Sequence, residues 1–207
     1  MSVISFDVGN HNLGVCFIQP IGEIENKLFK VKHIELIDLK GTCVRESVCS
    51  LVEVLKNKIF PWITNTSNLP VIAIESQPNT NPGMKCISHG IQTCFLSCFE
   101  NIDVRFISPR NKLTICPSTF LTKEEQANVD VIIEKKTTNK KASYRCNKKL
   151  AVIYATGMLR EAKQQKSLDF FQSCNKKDDI ADSYLQGAHC LLTILEKKKK
   201  KRKRGEK

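Results

Sequence analysis

Asp7 interrupts a run of β-formers, Val3-Ile4-Ser5-Phe6-Asp7-Val8, and Glu75 closes a second apolar run at residues 69–75. Asp178, Asp179 and Asp182 open the last amphipathic stretch. Asp182 lies three or four residues beyond Asp179 and Asp178, so either pairing shares one side of a helix. Each acid alone has an ordinary explanation. Asp7 would cap the turn after its strand, Glu75 would cap its own strand, and the aspartates would favour the positive end of a helix dipole. Together they describe a chemistry. A carboxylate inside a buried strand is costly without a cation to meet it, and crowded carboxylates do not all ionise without one. Hard oxygen donors with no His or Cys among them fit Mg²⁺ or Mn²⁺ rather than zinc. Two such ions ~4 Å apart activate a water and stabilise the leaving oxygen in phosphodiester hydrolysis.

The elements that must carry these acids follow from periodicity. Residues 3–8 and 14–18 are near-continuous apolar strands joined by the polar turn around Gly9, Asn10 and Asn12, which reads as a hairpin. Residues 28–39 alternate apolar and polar and fit a third, half-exposed strand. Val44, Val48, Leu51, Val52, Leu55 and Ile59 fall at helical spacing, and Pro61-Trp62 is expected to end that helix. Strands are predicted at 69–75 and 103–108, with a helix over 84–99 between them that is apolar on much of its circumference. Residues 122–145 are charged, lack strong periodicity and read as a mobile surface insertion. Helices follow over 148–162 and 178–195. The expected fold is α/β: a mixed five-stranded sheet, with an antiparallel meander of the first three strands and parallel fourth and fifth strands, flanked by helices.

The chain has 207 residues, which suits one domain. That domain is expected over residues 1–196, followed by a disordered basic tail over 197–207. Net charge is +12, of which +8 lies in the tail and +4 in the body. Such an excess fits a polyanionic partner, most simply nucleic acid. The ten Cys form no CxxC pair and do not group with His at zinc-finger spacing. Cys16, Cys49, Cys94, Cys98 and Cys190 read as small buried hydrophobes of a reducing compartment. No signal peptide and no run of ~20 apolar residues is visible, so the expectation is an intracellular, soluble protein without a membrane partner.

Phe6-Asp7-Val8-Gly9, Ala73-Ile74-Glu75-Ser76-Gln77 and Asp179-Ile180-Ala181-Asp182-Ser183 resemble, in order, the acidic motifs of RuvC-type Holliday-junction resolvases in the RNase H-like superfamily. The likeness is greatest to the poxvirus branch and more distant to the fungal mitochondrial enzymes. It covers roughly residues 3–195. It implies an RNase H-like fold and a metal-dependent endonuclease making paired nicks in four-way DNA, leaving 5′-phosphate and 3′-hydroxyl ends. It further implies two Mg²⁺ (or Mn²⁺) per site held by Asp7, Glu75, Asp179 and Asp182, with Asp178 the second choice. A catalytic base-bearing residue enters from the start of the third long helix, where Lys148 and Lys149 both qualify and Lys149 is preferred. Lys112, Lys140, Lys141, Arg145, Lys148 and Lys149 are the expected DNA contacts. The family's dimeric habit implies a homodimer, for which Cys94, Cys98 and Phe99 are left over if Met84, Ile87, Ile91, Phe95 and Leu96 face the sheet. A viral origin would place the protein in host cytoplasm, and the basic tail doubles as a nuclear address.

Three other classes compete. An actin-like ATPase or sugar kinase also begins with strand, Asp-x-Gly and hairpin, but needs a second phosphate loop that is absent. A non-catalytic DNA-binding module leaves the four ordered acids unexplained. Another RNase H-like nuclease, cutting an RNA–DNA hybrid or a flap, shares both fold and metals.

Overall fold

The computed structural model describes residues 1–64, 66, 68–136 and 139–205, and for residues 24, 140 and 201–205 the backbone alone. The strands β1 (Val3–Val8), β2 (Asn12–Pro20), β3 (Phe29–Asp38), β4 (Val71–Glu75) and β5 (Val104–Ile107) form one sheet in the order β3-β2-β1-β4-β5. β1–β2 and β2–β3 pair antiparallel, while β1–β4 and β4–β5 pair parallel. This is the expected mixed sheet, with β1 at its centre.

Alternation along β1 and β4 divides the molecule into two cores. Ile4, Phe6, Val8, Ile72 and Ile74 face α1 (Val44–Val54) and α3 (Pro82–Cys98). Val3 and Ala73 face α5 (Lys140–Glu161), α6 (Gln165–Ser173) and α7 (Lys177–Gly205). Asp7 and Glu75 share the parity of the second set, so both point to the α7 side of the sheet. β1 is therefore buried on both faces, which is why its residues run almost unbroken in apolar character.

Several expectations need correction. The helix beginning at Val44 does not stop before Pro61. It passes through a wider turn over Leu55–Ile59, where Phe60 N–H bonds the Leu55 carbonyl, and continues as α2 (Phe60–Thr64). A proline ring crowds the carbonyl four residues back, and a π-type turn opens the ladder at that point. Leu96 was expected to face the sheet and is instead 54% exposed, while Phe99 packs edge-on against Phe60 at 4.9 Å. Cys49 and Cys98 are exposed rather than buried. Most of the segment read as an irregular insertion is helical. Thr122 and Glu125 form a reciprocal capping box that starts α4 (Lys123–Glu134), and Asn139 caps α5 through Lys141 N–H and Ala142 N–H. α5 thus begins two turns earlier than its apolar stripe announces. The basic stretch from residue 197 continues α7 to Gly205 rather than forming a separate tail, in keeping with the good helix propensity of Lys and Arg and their favourable position at a helix C-terminus. Among the described residues, no helix is long and apolar enough to cross a membrane.

Candidate active site

α7 is drawn tightly onto the sheet, and this sets the site. Gln186, fully buried, donates from Nε2 to the Phe6 and Ala73 carbonyls at 3.3 and 3.4 Å, tying the helix to both β1 and β4. Ser5 Oγ donates to the Ser183 carbonyl, with the Cys16 carbonyl 3.3 Å away as an alternative acceptor. Two glycines permit the approach. A Cβ on Gly187 would stand 2.6 Å from Ser5 Oγ. A Cβ on Gly14, the β2 residue paired with Asp7, would overlap the Asp179 carbonyl oxygen. The first turn of α7 therefore rests on the β1–β2 ladder directly beside Asp7. β4 delivers Glu75 from the neighbouring strand end.

Into this corner comes Lys112, from the 3₁₀ turn Pro109–Thr114 that follows β5. Only 9% of the residue is exposed, and its Nζ lies 3.0 Å from Asp182 and 3.7 Å from Glu75. Lys148, on α5, forms the second ion pair of the site, with Asp178 and, at 3.4 Å, Asp179. The acids are thus shared between two ammonium groups: Glu75 and Asp182 around Lys112, and Asp178 and Asp179 around Lys148.

The titration behaviour reflects this arrangement. Burial pushes the Asp7 carboxyl well above its usual 3.8, Glu75 and Asp182 add to the effect, and Lys112 opposes it. Burial also raises Asp182, against the pull of Lys112. Asp179 is raised by burial and by Asp178, despite Lys148. Asp178 is the exception. Burial works against its ionised form, but Lys148 outweighs burial and holds it below the usual range. Lys112 loses solvation, but Asp182, Glu75 and Asp7 more than restore its proton affinity.

Asp7 carries a stability consequence. Between the unfolded value near 3.8 and its raised folded value, the folded chain keeps a proton that the unfolded chain has released. The metal-free protein therefore loses stability as pH rises through that window. Asn at position 7 cannot ionise. Metal-free Asp7→Asn should melt at a higher temperature than wild type at neutral pH, with the gap closing toward acid pH, as followed by thermal scans in a chelator. An equal or lower melting temperature at neutral pH would contradict the strain assigned to Asp7.

Among the described residues, no three His, Cys, Asp or Glu side chains are arranged as a ready metal shell. The donor set nevertheless fits a hard divalent cation. It is all carboxylate oxygen, and Lys112 shows that this corner accepts positive charge at near-complete burial.

The predicted site residues converge only in part. Asp7, Glu75, Asp179 and Asp182 lie at one end of the sheet, with Asp178 beside them. Lys112, expected at the DNA backbone, lies inside the acid cluster. Its segment carries no periodic signal that would have placed it there. Lys148 reaches the acids, whereas Lys149 is exposed and faces a groove between α4 and α5 together with Arg145. Lys141 is exposed on the first turn of α5. The Lys140 side chain lies outside the described residues.

No protein-family model matches the chain. Among curated proteins, "Uncharacterized protein L451" of Acanthamoeba polyphaga mimivirus is 32% identical over 132 residues, which is 61% of this chain and 30% of that protein. The chain thus spans less than a third of the length of that relative. Among solved structures, the Fowlpox virus resolvase in complex with substrate Holliday junction DNA superposes with a TM-score of 0.58 at 20% identity, over 94% of this chain and 99% of that one. Thermus thermophilus RuvC in complex with a Holliday junction substrate gives 0.53 at 13% identity, over 94% and 96%. At these identities the likeness is one of fold: the sheet and its flanking helices are those of the RuvC-type resolvases, as the sequence motifs led us to expect.

Proposed function

We propose that this chain is a divalent-metal-dependent endonuclease that resolves four-way DNA junctions by paired, symmetric nicks. One observation carries the reading: on a resolvase fold, Asp7, Glu75, Asp179 and Asp182 lie together at one end of the sheet, with Lys112 and Lys148 paired among them. Fold neighbours solved with junction DNA support the substrate class. Asp7, Glu75, Asp179 and Asp182 would hold Mg²⁺ or Mn²⁺, two per site. Bound there, the ions supply charge neutralisation at the phosphate and an activated water. Cleavage would leave 5′-phosphate and 3′-hydroxyl ends.

The chain's own groups have separable tasks. Asp7 anchors the site on the central strand, where burial works against its charged form. Asp178 holds Lys148 in place, so its part is to position a cation rather than to bind metal. Lys148 then presents a charge beside the acids, where it stabilises the anionic transition state. This moves the catalytic role from Lys149, preferred on sequence, to Lys148. Lys148→Ala should slow cutting on the order of 10²–10³-fold with little change in junction binding. Lys149→Ala should weaken binding and lower its salt dependence, leaving the rate at saturation unchanged. Single-turnover rates beside binding isotherms separate the two, and the reverse pattern would return the role to Lys149.

A two-fold junction needs two sites in two-fold relation, which a C₂ homodimer provides. The outer row of α3 supports one. Leu96 is 54% exposed on it, His89 lies tilted against Phe106 of β5 with ring centroids 5.2 Å apart, and Phe106 is itself 37% exposed.

The experiment that tests this reading offers the protein a four-way junction, a flap and an RNA–DNA hybrid in Mg²⁺. Preferential cutting of the junction is expected. Preference for the hybrid or flap would make this a different RNase H-like nuclease, and binding without cutting of any of them would leave a DNA-binding module.

A further inference from the structure

A groove of about 800 Å³ lies between α4 and α5 and runs to the start of α7. This is within the ~300–1,000 Å³ range of small-molecule sites. α4 is pinned at its beginning, where Glu125 makes two bonds to Arg160 at 2.8 and 2.6 Å, and at its middle, where Val129 is buried. Its later turns stand away from α5. Val131, on the groove, is 42% exposed, and Ile133, off it, 50%, an unusual fate for a run of three consecutive β-branched residues.

The lining has three kinds of surface. Ile132, Val152 and Ile153 make an apolar wall, and Asn128 and Asn175 present amides. Lys135, Arg145, Lys149 and Lys177 form the rim. Among the described residues, none of these four bases takes part in an ion pair. The inner end is closed by Lys148 and Asp178, which belong to the acid cluster.

We infer that this groove receives a single unpaired nucleotide of the strand to be cut, next to the phosphate at the acids. The inference rests on the endonuclease reading above. A paired duplex presents only sugar and phosphate at such a depth, and has no use for an apolar wall. A base turned out of the stack offers a flat apolar face to Ile132, Val152 and Ile153, and a hydrogen-bonding edge to Asn128 and Asn175. Its flanking phosphates meet the four unpaired cations of the rim. The arrangement provides sequence preference at that nucleotide, since amides discriminate base edges whereas rim lysines do not.

The test uses the full chain with Asp7→Asn, which is expected to bind junctions without cutting them. 2-Aminopurine is placed in turn at each nucleotide around the exchange point. Binding should raise its emission several-fold at one position, as the base leaves the stack. Ile132→Trp, which plugs the groove from a half-exposed position, should abolish the rise while junction affinity stays within a factor of a few. In the cutting enzyme, Asn128→Ala with Asn175→Ala should flatten rate differences among four junctions that vary only at that nucleotide. A chain that binds and cuts junctions but gives no rise at any position overturns this inference alone. So does a rise that persists in the plugged variant. Failure to bind junctions overturns both this inference and the endonuclease reading.

Discussion

Asp7→Asn should lower junction cutting in Mg²⁺ on the order of 10²–10³-fold or more, the loss typical of removing one stabilising group from a pre-organised site. Asn keeps the shape of Asp and removes its charge. Asp7 sits on the central strand with Glu75 and Asp182 as its electrostatic neighbours, so the variant removes one anionic oxygen donor from the enclosed corner and disturbs little else. Lys112 keeps Asp182 at 3.0 Å and Glu75 at 3.7 Å. Junction affinity, measured in Ca²⁺ or chelator, should not fall, because phosphate contacts come from bases elsewhere. The fold is not at risk, since the same substitution is expected to stabilise the metal-free protein. A variant that still cuts in Mg²⁺ would remove Asp7 from the machinery and, with it, the site as described.

Gly14→Ala should have the next largest effect, at a residue with no functional group. Its Cβ would overlap the Asp179 carbonyl oxygen and come within 3.0 Å of that carbonyl carbon. Both are helix backbone and cannot swing aside. Overpacking of this kind costs roughly 1–3 kcal/mol. The helix must also lift from β2, carrying Asp179 and Asp182 away from Asp7 and Glu75, and a displacement of about 1 Å at a reacting centre can cost ~10²-fold in rate. Urea unfolding and single-turnover cutting measure the two effects separately. Full activity with wild-type stability would show that the helix does not depend on this contact.

Much of the framework was legible because burial writes itself into periodicity. β1 and β4 are covered on both faces, and α7 buries Ile180, Ala181, Tyr184, Leu185 and Ala188 as a stripe, so their patterns are dense. The acids were legible because a charge inside such a pattern is conspicuous. Lys112 was not, since a short 3₁₀ turn has no repeat to locate it, and a lysine held by acids from three distant segments looks like any surface base. The start of α5 was missed for a related reason. Its first two turns are mostly polar, with none of their described side chains fully buried, and only the Asn139 cap marks them. Pro61 misled because a proline normally ends a helix, whereas here the wide turn before it absorbs the clash. Ile132 carries a different lesson: it fell in a segment read as an irregular insertion, and the helix that forms there sets it, with Ile153 of α5, along an open groove.

The most direct measurement is the product pattern on a supercoiled plasmid carrying an extruded cruciform. A homodimer with two sites nicks opposite strands within one binding event, so supercoiled DNA should convert straight to linear product in Mg²⁺, without accumulation of nicked circles and with ends that a ligase can seal. Conversion to nicked circles alone, or cutting that persists in chelator, would contradict the account.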